Sequence, residues 1–482
     1  MLTRTLLRLC PFVLFSCPAV IAQNRCPDGT KSTKLACIIP QVYGTNGLQA
    51  ENPDAIGTGQ FSSNFLAESL RPIEASIARQ SALLPLASPS SGFIYDWDST
   101  NKIFIQSTDS FGPIFGERAE TIGRHRVFLG FAYQYLKFNS LDGVNLKKLP
   151  VLLTQPDDTT TFQGDPVCTI NLPSPNPISS ATGNPRFSNT GNCGYIRDVI
   201  NSANSIDLKI HQFTTFITFG LTSKIDVSVA IPIENVRMAV SSDSTIVVND
   251  SPTRSFHAFA PTTDCPSLCL HRVFTNSGTA SGIGDITLRV KGTAWKGERA
   301  ALALGVDVRV PTGDQLNFTG AGAAGVKPFV AWSFRSRVSP HVIVGYESNG
   351  SSVIAGDLST GSKDKLPGQL TYSAGADFWL TKWLTTAVDL VGQAIFQGQR
   401  ISVSTTHDLG ACDSLSCQNP MSPKPYFDLT PSTGTLNITN ASIGLKIRPT
   451  STLLITGNVL VKLNEAGLRA NVVPLVGISY TF

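Results

Sequence analysis

The stretch Leu302-Ala303-Leu304-Gly305-Val306-Asp307-Val308-Arg309-Val310 places a large aliphatic residue at every second position, with Ala, Gly, Asp or Arg between. Successive side chains of an extended strand point to opposite faces, so this segment has one oily face and one that is small or charged. Asp285-Ile286-Thr287-Leu288-Arg289-Val290-Lys291 repeats the pattern, as do residues 224–231, 372–380 and 441–447. A water-soluble sandwich also alternates, so the choice of solvent rests on strand number and on the connections.

Twelve alternating segments can be drawn: 127–138, 210–219, 225–236, 286–295, 300–310, 328–334, 342–347, 370–380, 384–396, 436–447, 453–463 and 472–482. An even number is what single-chain bacterial barrels require. Two segments, 328–334 and 342–347, are shorter than the ~9–11 residues of a spanning strand, so their edges are expected to be misplaced. The connections fall into two alternating classes. Short ones, 220–224, 296–298, 335–340, 381–383 and 448–450, would be periplasmic turns; long ones, 139–205, 241–282, 311–326, 348–369, 398–435 and 464–469, would be external loops. Outer-membrane barrels obey this parity and a sandwich has no reason to.

The expected fold is therefore all-β: a closed antiparallel transmembrane β-barrel of about twelve strands in the outer membrane of a Gram-negative bacterium. In lipid every backbone N–H and C=O must be paired, so 127–138 is expected to close against 472–482. Val476, Ile478, Tyr480 and Phe482 alternate on that last strand. An aromatic final residue on a closing amphipathic strand resembles the signature recognised by the barrel-assembly machinery, which with outer-membrane lipid is an expected partner.

Composition agrees. The 482 residues are 41% hydrophobic but 15% charged, with 40 Gly and 30 Pro; an average soluble domain carries roughly 25% charge. A net charge of +4 and six scattered His point to neither a nucleic-acid partner nor a metal or cofactor. Residues 1–22 read as a signal peptide, with Arg4 and Arg8 ahead of an apolar stretch through Leu14 and Phe15 and small residues ending at Ala22. A competing reading takes Leu14-Phe15-Ser16-Cys17 as a lipoprotein box with Cys17 lipidated. Residues 23–125 lack long alternation and read as a separate N-terminal region, periplasmic or plugging the barrel of 126–482. Ser62 or Ser63 could cap a helix carrying Phe65, Leu66, Leu70, Ile73 and Ile77, kinked by Pro72. Phe93-Ile94-Tyr95 and Ile103-Phe104-Ile105 flank a turn and predict a short hairpin.

Eight cysteines follow the signal, in four close pairs: Cys26/Cys37, Cys168/Cys193, Cys265/Cys269 and Cys412/Cys417. In an exported protein these are expected as local disulfides, with unrelated free thiols as the alternative. A zinc site is disfavoured, because no Cys pair has a companion His pair at ligand spacing.

If apolar positions face lipid, the alternate ones face the lumen: Gln134, Asp226, Ser228, Asp285, Thr287, Arg289, Lys291, Asp307, Arg309, Asp377, Asp389, Asn440, Lys446, Asn458 and Lys462. Asp226, Asp285, Arg289, Lys291, Asp307, Arg309, Asp377, Asp389 and Lys446 are the candidate selectivity residues for a small-molecule solute. The same mixed charge could instead cross-brace a filled interior. A narrow or plugged passage is expected at this strand number. Catalysis is not expected, since none of His125, His211, His257, His271, His341 and His407 has a Ser and an acid in a recognisable local motif; triad members need not be close in sequence. Gly282-Ile283-Gly284 precedes a strand, so a dinucleotide reading fails.

Gly282-Ile283-Gly284-Asp285-Ile286-Thr287-Leu288-Arg289-Val290-Lys291, followed by Val308-Arg309-Val310-Pro311-Thr312-Gly313-Asp314, resembles the outer-membrane transporter family of the phenol-degradation meta pathway. The resemblance covers about 205–482 and implies an outer-membrane barrel that passes small compounds, aromatic ones among them. The stapled loops and the region before Arg126 depart from the shorter family pattern. Pro-Thr-Gly-Asp by itself suits a tight turn at a strand end; a ligand role for Asp314 is the sharper reading. The expected function is a passive channel for small molecules. Its alternatives are a non-transporting barrel with adhesive loops and an outer-membrane hydrolase.

Overall fold

The computed structural model describes residues 26, 30–45, 47–48, 50–51, 73, 76–77, 80, 95–98, 103–106, 110–153, 199–247, 258–266, 269–358, 360–407 and 425–482. Among them are β1 Val127–Leu141, β2 Val199–Gly220, β3 Ile225–Val247, β4 His271–Ile283, β5 Ile286–Lys296, β6 Ala300–Val310, β7 Gly325–Phe334, β8 Val338–Asn349, β9 Gln369–Thr381, β10 Leu384–His407, β11 Pro425–Ile447, β12 Leu453–Lys462 and β13 Val472–Thr481. All but β4 form a closed antiparallel ring of twelve. β13 closes it on β1, from Leu475 opposite Gln134 to Thr481 opposite Phe128, and the Phe482 N–H donates to the Val127 carbonyl at 2.8 Å. No backbone edge is left to lipid at the seam.

The alternation sorts side chains as the sequence predicts. On β6, Leu304 is 53% exposed on the outside while Ala301, Ala303, Asp307 and Arg309 are buried within. Phe131, Phe213, Leu288, Val330, Val344, Leu390, Ile443 and Val476 continue the outer apolar belt around the ring. So large a continuous apolar surface is matched by lipid and not by water. Trp295, Trp383, Tyr480 and Phe482, all exposed, lie where strands meet the short turns, the position of an interfacial aromatic girdle. The protein is an outer-membrane β-barrel.

The short turns are as predicted; several long loops are not. β2 and β3 pair from Gly220/Asp226 up to Val199/Val247, and β10 and β11 as far as His407/Pro425. Both hairpins thus continue well past the expected segments 210–219, 225–236, 384–396 and 436–447. Above the lipid both faces become polar, as in Ser241-Ser242-Asp243-Ser244-Thr245 and Thr430-Pro431-Ser432-Thr433, so the oily stripe that marks a strand fades while backbone pairing goes on. The expected loop 241–282 likewise contains β4, which pairs with β3 from Ile283/Ile233 to His271/Thr245. β4 and β5 are one strand interrupted by a bulge, where residues 284–286 stand opposite residues 231 and 232. The two short predictions lengthen to ten and twelve residues as β7 and β8.

Residues 30–45 lie at the long-loop end: Lys34 pairs with Asp314 at 2.6 Å, Asn276 Nδ2 donates to the Ile38 carbonyl at 3.1 Å, and Tyr43 bonds Ser242 at 2.6 Å. Ile73, Ser76, Ile77 and Gln80 have helical backbone, and Ser76 donates to the carbonyl of Gln399. Residues 110–123 lie inside the lower barrel, after which the His125 N–H binds the Gly220 carbonyl and the chain enters β1. Of region 23–125, the described residues 30–45 thus contact the long-loop end and 110–123 the inner wall of the ring. The hairpin pairs Tyr95–Asp98 with Ile103–Gln106. Cys26–Cys37 and Cys265–Cys269 are disulfides. The signal peptide 1–22 with Cys17, the helix residues Ser62 to Leu70, and Cys168, Cys193, Cys412 and Cys417 lie outside the described residues.

Candidate functional site

The candidate site is the barrel interior, and it has a floor, a rim and a chamber between them. The floor is the segment 110–123 held by inward-facing groups at the short-turn end. Lys291, 1% exposed, directs its ammonium at Glu117 Oε1 (2.7 Å) and at the carbonyls of Glu120 (2.9 Å) and Arg118 (3.0 Å). Arg289 grips Asp307 with two hydrogen bonds of 2.6 and 2.8 Å and reaches Glu117 Oε2 at 2.6 Å. Asp226 accepts from the Ile122 N–H at 3.0 Å, Lys446 donates to the carbonyls of Pro113 (2.7 Å) and Phe111 (3.1 Å), and Asp377 receives Ser110 at 3.3 Å and the Arg118 guanidinium at 3.5 Å. Asp389 holds His341 through Nε2 at 2.5 Å.

Small inward residues make the room. Ala119 packs on Ala301, Ala303 and Ala331. A Cβ at Gly444 would stand 2.4 Å from Ile114, and one at Gly116 2.5 Å from His341. The Ala and Gly that thin one face of the strand pattern are therefore there to admit a second layer of chain. Buried ions this well supplied with oppositely charged or dipolar partners are tolerated; removing one partner would leave the other uncompensated.

The rim explains the two-part motif. Thr312 Oγ1 donates to the Gly284 carbonyl at 2.6 Å and accepts from the Ile286 N–H at 3.0 Å, locking the bulge to the end of β6. Asp285 accepts from the N–H groups of Gly313 (3.0 Å) and Ala321 (2.8 Å) and pairs with Arg309 at 2.9 Å. Arg309 also reaches Glu347 at 3.0 Å and Asn349. Gly313 is required by close approach, since a Cβ there would lie 2.3 Å from the Thr319 carbonyl. Asp314 caps the 3-10 turn Gln315–Asn317 by accepting from the Leu316 N–H, and it pairs with Lys34. These bonds give it the structural role of the tight-turn reading; the ligand role was the alternative.

Between floor and rim lies a cavity of about 250 Å³. Its wall combines apolar residues, among them Leu136, Phe138, Phe216, Ile438, Leu460 and Val473, with polar ones, among them Gln134, Gln212, Glu234, Glu347, Gln369 and Ser373. Of the nine candidate residues, Asp285, Arg289, Asp307 and Arg309 border this cavity; Asp226, Lys291, Asp377, Asp389 and Lys446 are engaged at the floor. Sequence reasoning missed Glu234 and Glu347. Both lie inside segments it had drawn, 225–236 and 342–347, at the inward phase of the alternation, so extending the phase count would have found them. The floor acids Glu117 and Glu120 carry no strand pattern and gave no such signal.

Comparison with known proteins bears on what such a barrel is. Residues 186–410 match the family model described as "Putative MetA-pathway of phenol degradation". No curated protein matches the sequence. Among solved structures, the chain is similar to the COG4313 outer membrane channel from Pseudomonas putida F1, at 12% identity and a TM-score of 0.43, covering 76% of this chain and 98% of that one. It is also similar to a Pseudomonas aeruginosa FadL homologue, at 10% identity, a TM-score of 0.30 and coverages of 84% and 98%, and to the NanC porin, at 9%, 0.31, 59% and 98%.

Proposed function

We propose that the protein is a passive outer-membrane channel for small molecules, narrowed by the segment 110–123. The observation that carries this reading is the chamber of about 250 Å³ inside a closed ring, lined by both polar and apolar residues. A structural barrel filled for stability alone would have no use for such a space at its centre. The chamber is of the order of a small-ligand site, and the family description supports aromatic compounds as its cargo. The inward charges at the floor set the passage by holding the narrowing segment in place. Lys291 and Arg289 hold it by Glu117, and Lys446 by two carbonyls.

The test is reconstitution of the full chain in planar bilayers and in liposomes. Expected are discrete low-conductance events and uptake of small neutral solutes, with larger conductance in Lys291→Ala, where the narrowing segment loses its central anchor. Absence of both current and solute uptake would overturn the reading.

A further inference from the structure

Three cations stand in one rung on the outside of the barrel. Lys137 of β1 lies opposite Lys209 of β2, and Lys209 lies opposite Arg237 of β3. All three belong to the outward phase of their strands, since their neighbours Leu136, Phe138, Leu208, Ile210, Val236 and Met238 are buried. Adjacent strands are ~4.8 Å apart, so the row is about 10 Å long. One acid stands beside it: Asp207 takes Lys209 at 2.7 Å and Lys147 at 3.6 Å. Lys137 has no salt bridge among the described residues, and Arg237 spends only its Nε there, on Asn235 at 3.1 Å. Four cations therefore share a single carboxylate, and the patch keeps a positive surplus.

The row also marks a level. Outward positions from Val127 to Tyr135 on β1 cover nine residues, which at ~3.3 Å each and a tilt of ~40° climb roughly 23 Å, close to the ~25 Å height of a lipid-facing band. Lys137 is thus the first outward residue past the hydrocarbon at the long-loop end. Immediately below it Tyr133 packs on Phe213 with ring centroids 4.7 Å apart, its hydroxyl hydrogen-bonds His211 Nδ1 at 2.9 Å, and Tyr135 leans on the same imidazole at 4.9 Å. Amphipathic rings of this kind sit at headgroup height. The long-loop ends of other strands carry exposed neutral residues instead, at Val326, Tyr346, Phe396, Val461 and Val472. The charge is confined to the sector of β1, β2 and β3. Like charges directly opposite one another repel, so the row is unfavourable unless an anion lies along it.

We propose that this row is a docking site for a phosphorylated glycolipid of the outer leaflet, of the lipid A type, whose phosphates lie among Lys137, Lys209 and Arg237 and whose acyl chains run down the belt beneath. A phosphate monoester carries a charge of about −1.5 to −2 and three acceptor oxygens, which suits a guanidinium fork flanked by ammonium groups. Phe213 and Ile233, 53% and 50% exposed one or two rungs below, offer the chains their surface. A phosphodiester lipid brings less charge to the row. Free phosphate brings no chains to the belt. The site faces lipid and not the chamber, so it goes beyond the channel reading and does not depend on it.

The experiment titrates the purified full chain in nonionic detergent with diphosphorylated lipid A, with phosphatidylglycerol and with inorganic phosphate, and counts bound molecules by native mass spectrometry. Wild type is expected to hold lipid A at least about fivefold more tightly than phosphatidylglycerol, the worth of one extra charge contact, and to retain no inorganic phosphate. Lys137→Ala/Arg237→Ala is expected to bind lipid A roughly thirtyfold more weakly, about a factor of five for each cation removed. Lys137→Arg/Arg237→Lys keeps the charges and should bind close to wild type, which separates loss of charge from loss of fold. Lys363→Ala/Lys365→Ala removes two exposed cations away from the row and should leave binding unchanged. An equal loss in that second pair, equal binding of phosphatidylglycerol or inorganic phosphate, or no binding of lipid A would overturn the proposal.

Discussion

Floor and chamber are built from the same strands, a few residues apart, and treat polar groups in opposite ways. At the floor the cations meet the chain's own acids or carbonyls: Lys291 has three oxygens within 3.0 Å. In the chamber wall Glu234, Gln369 and Ser373 each keep a buried oxygen with no hydrogen-bond partner among the described residues. The inward cations at the floor are therefore architecture, holding residues 110–123 in place.

The contrast can be broken most forcefully at Lys291. Lys291→Ala removes the counter-charge of a buried carboxylate and the donor to two carbonyls, and should cost about 3–5 kcal/mol. Urea unfolding in lipid vesicles, followed by tryptophan fluorescence, measures it. The chamber substitution Glu234→Gln should stay within about 0.5 kcal/mol of wild type in the same assay, because it changes no partnered atom. Equal losses in the two variants would erase the distinction.

A matched pair sharpens it. Ser333 at the floor donates to Glu120 at 2.6 Å and accepts from the Ala119 N–H at 3.1 Å. Ser333→Ala should lose about 1–2 kcal/mol. Ser373→Ala removes an unpartnered hydroxyl and should be neutral, or gain up to about 1 kcal/mol. The same titrations decide.

The smallest effect belongs outside the membrane. The hydrogen bond from Lys462 holds the Glu465 carboxyl below its ordinary range. A lowered folded-state pKa contributes stability that is present above the unfolded value of ~4.3 and is lost as the pH falls through the folded one. Because Glu465 is largely exposed, Lys462→Ala should change stability by no more than about 0.5 kcal/mol at neutral pH, and salt should shrink the difference further. A larger change would mean that exposed pairs here matter as buried ones do.

Much of this was legible in the chain alone. The period-two pattern of β6, the parity of short and long connections and the closing strand gave the ring and its solvent, because side-chain alternation and backbone pairing in lipid are local and obligatory constraints. The same pattern placed Asp226, Asp285, Arg289, Lys291, Asp307, Arg309, Asp377, Asp389 and Lys446 on the inward face. It could not say what they meet there. The partners of Lys291 lie more than 170 residues away in sequence, in a segment with no periodicity of its own, and contacts between a strand and an irregular chain leave no repeat to read. The extensions of β2, β3, β10 and β11 were invisible for a related reason: outside lipid, nothing forces one face to be apolar, although the backbone still pairs. The sequence by itself determined a lipid-matched ring with a polar lumen. Only the tertiary structure decided which inward groups find partners, because satisfaction is a property of distances between residues that no local pattern encodes.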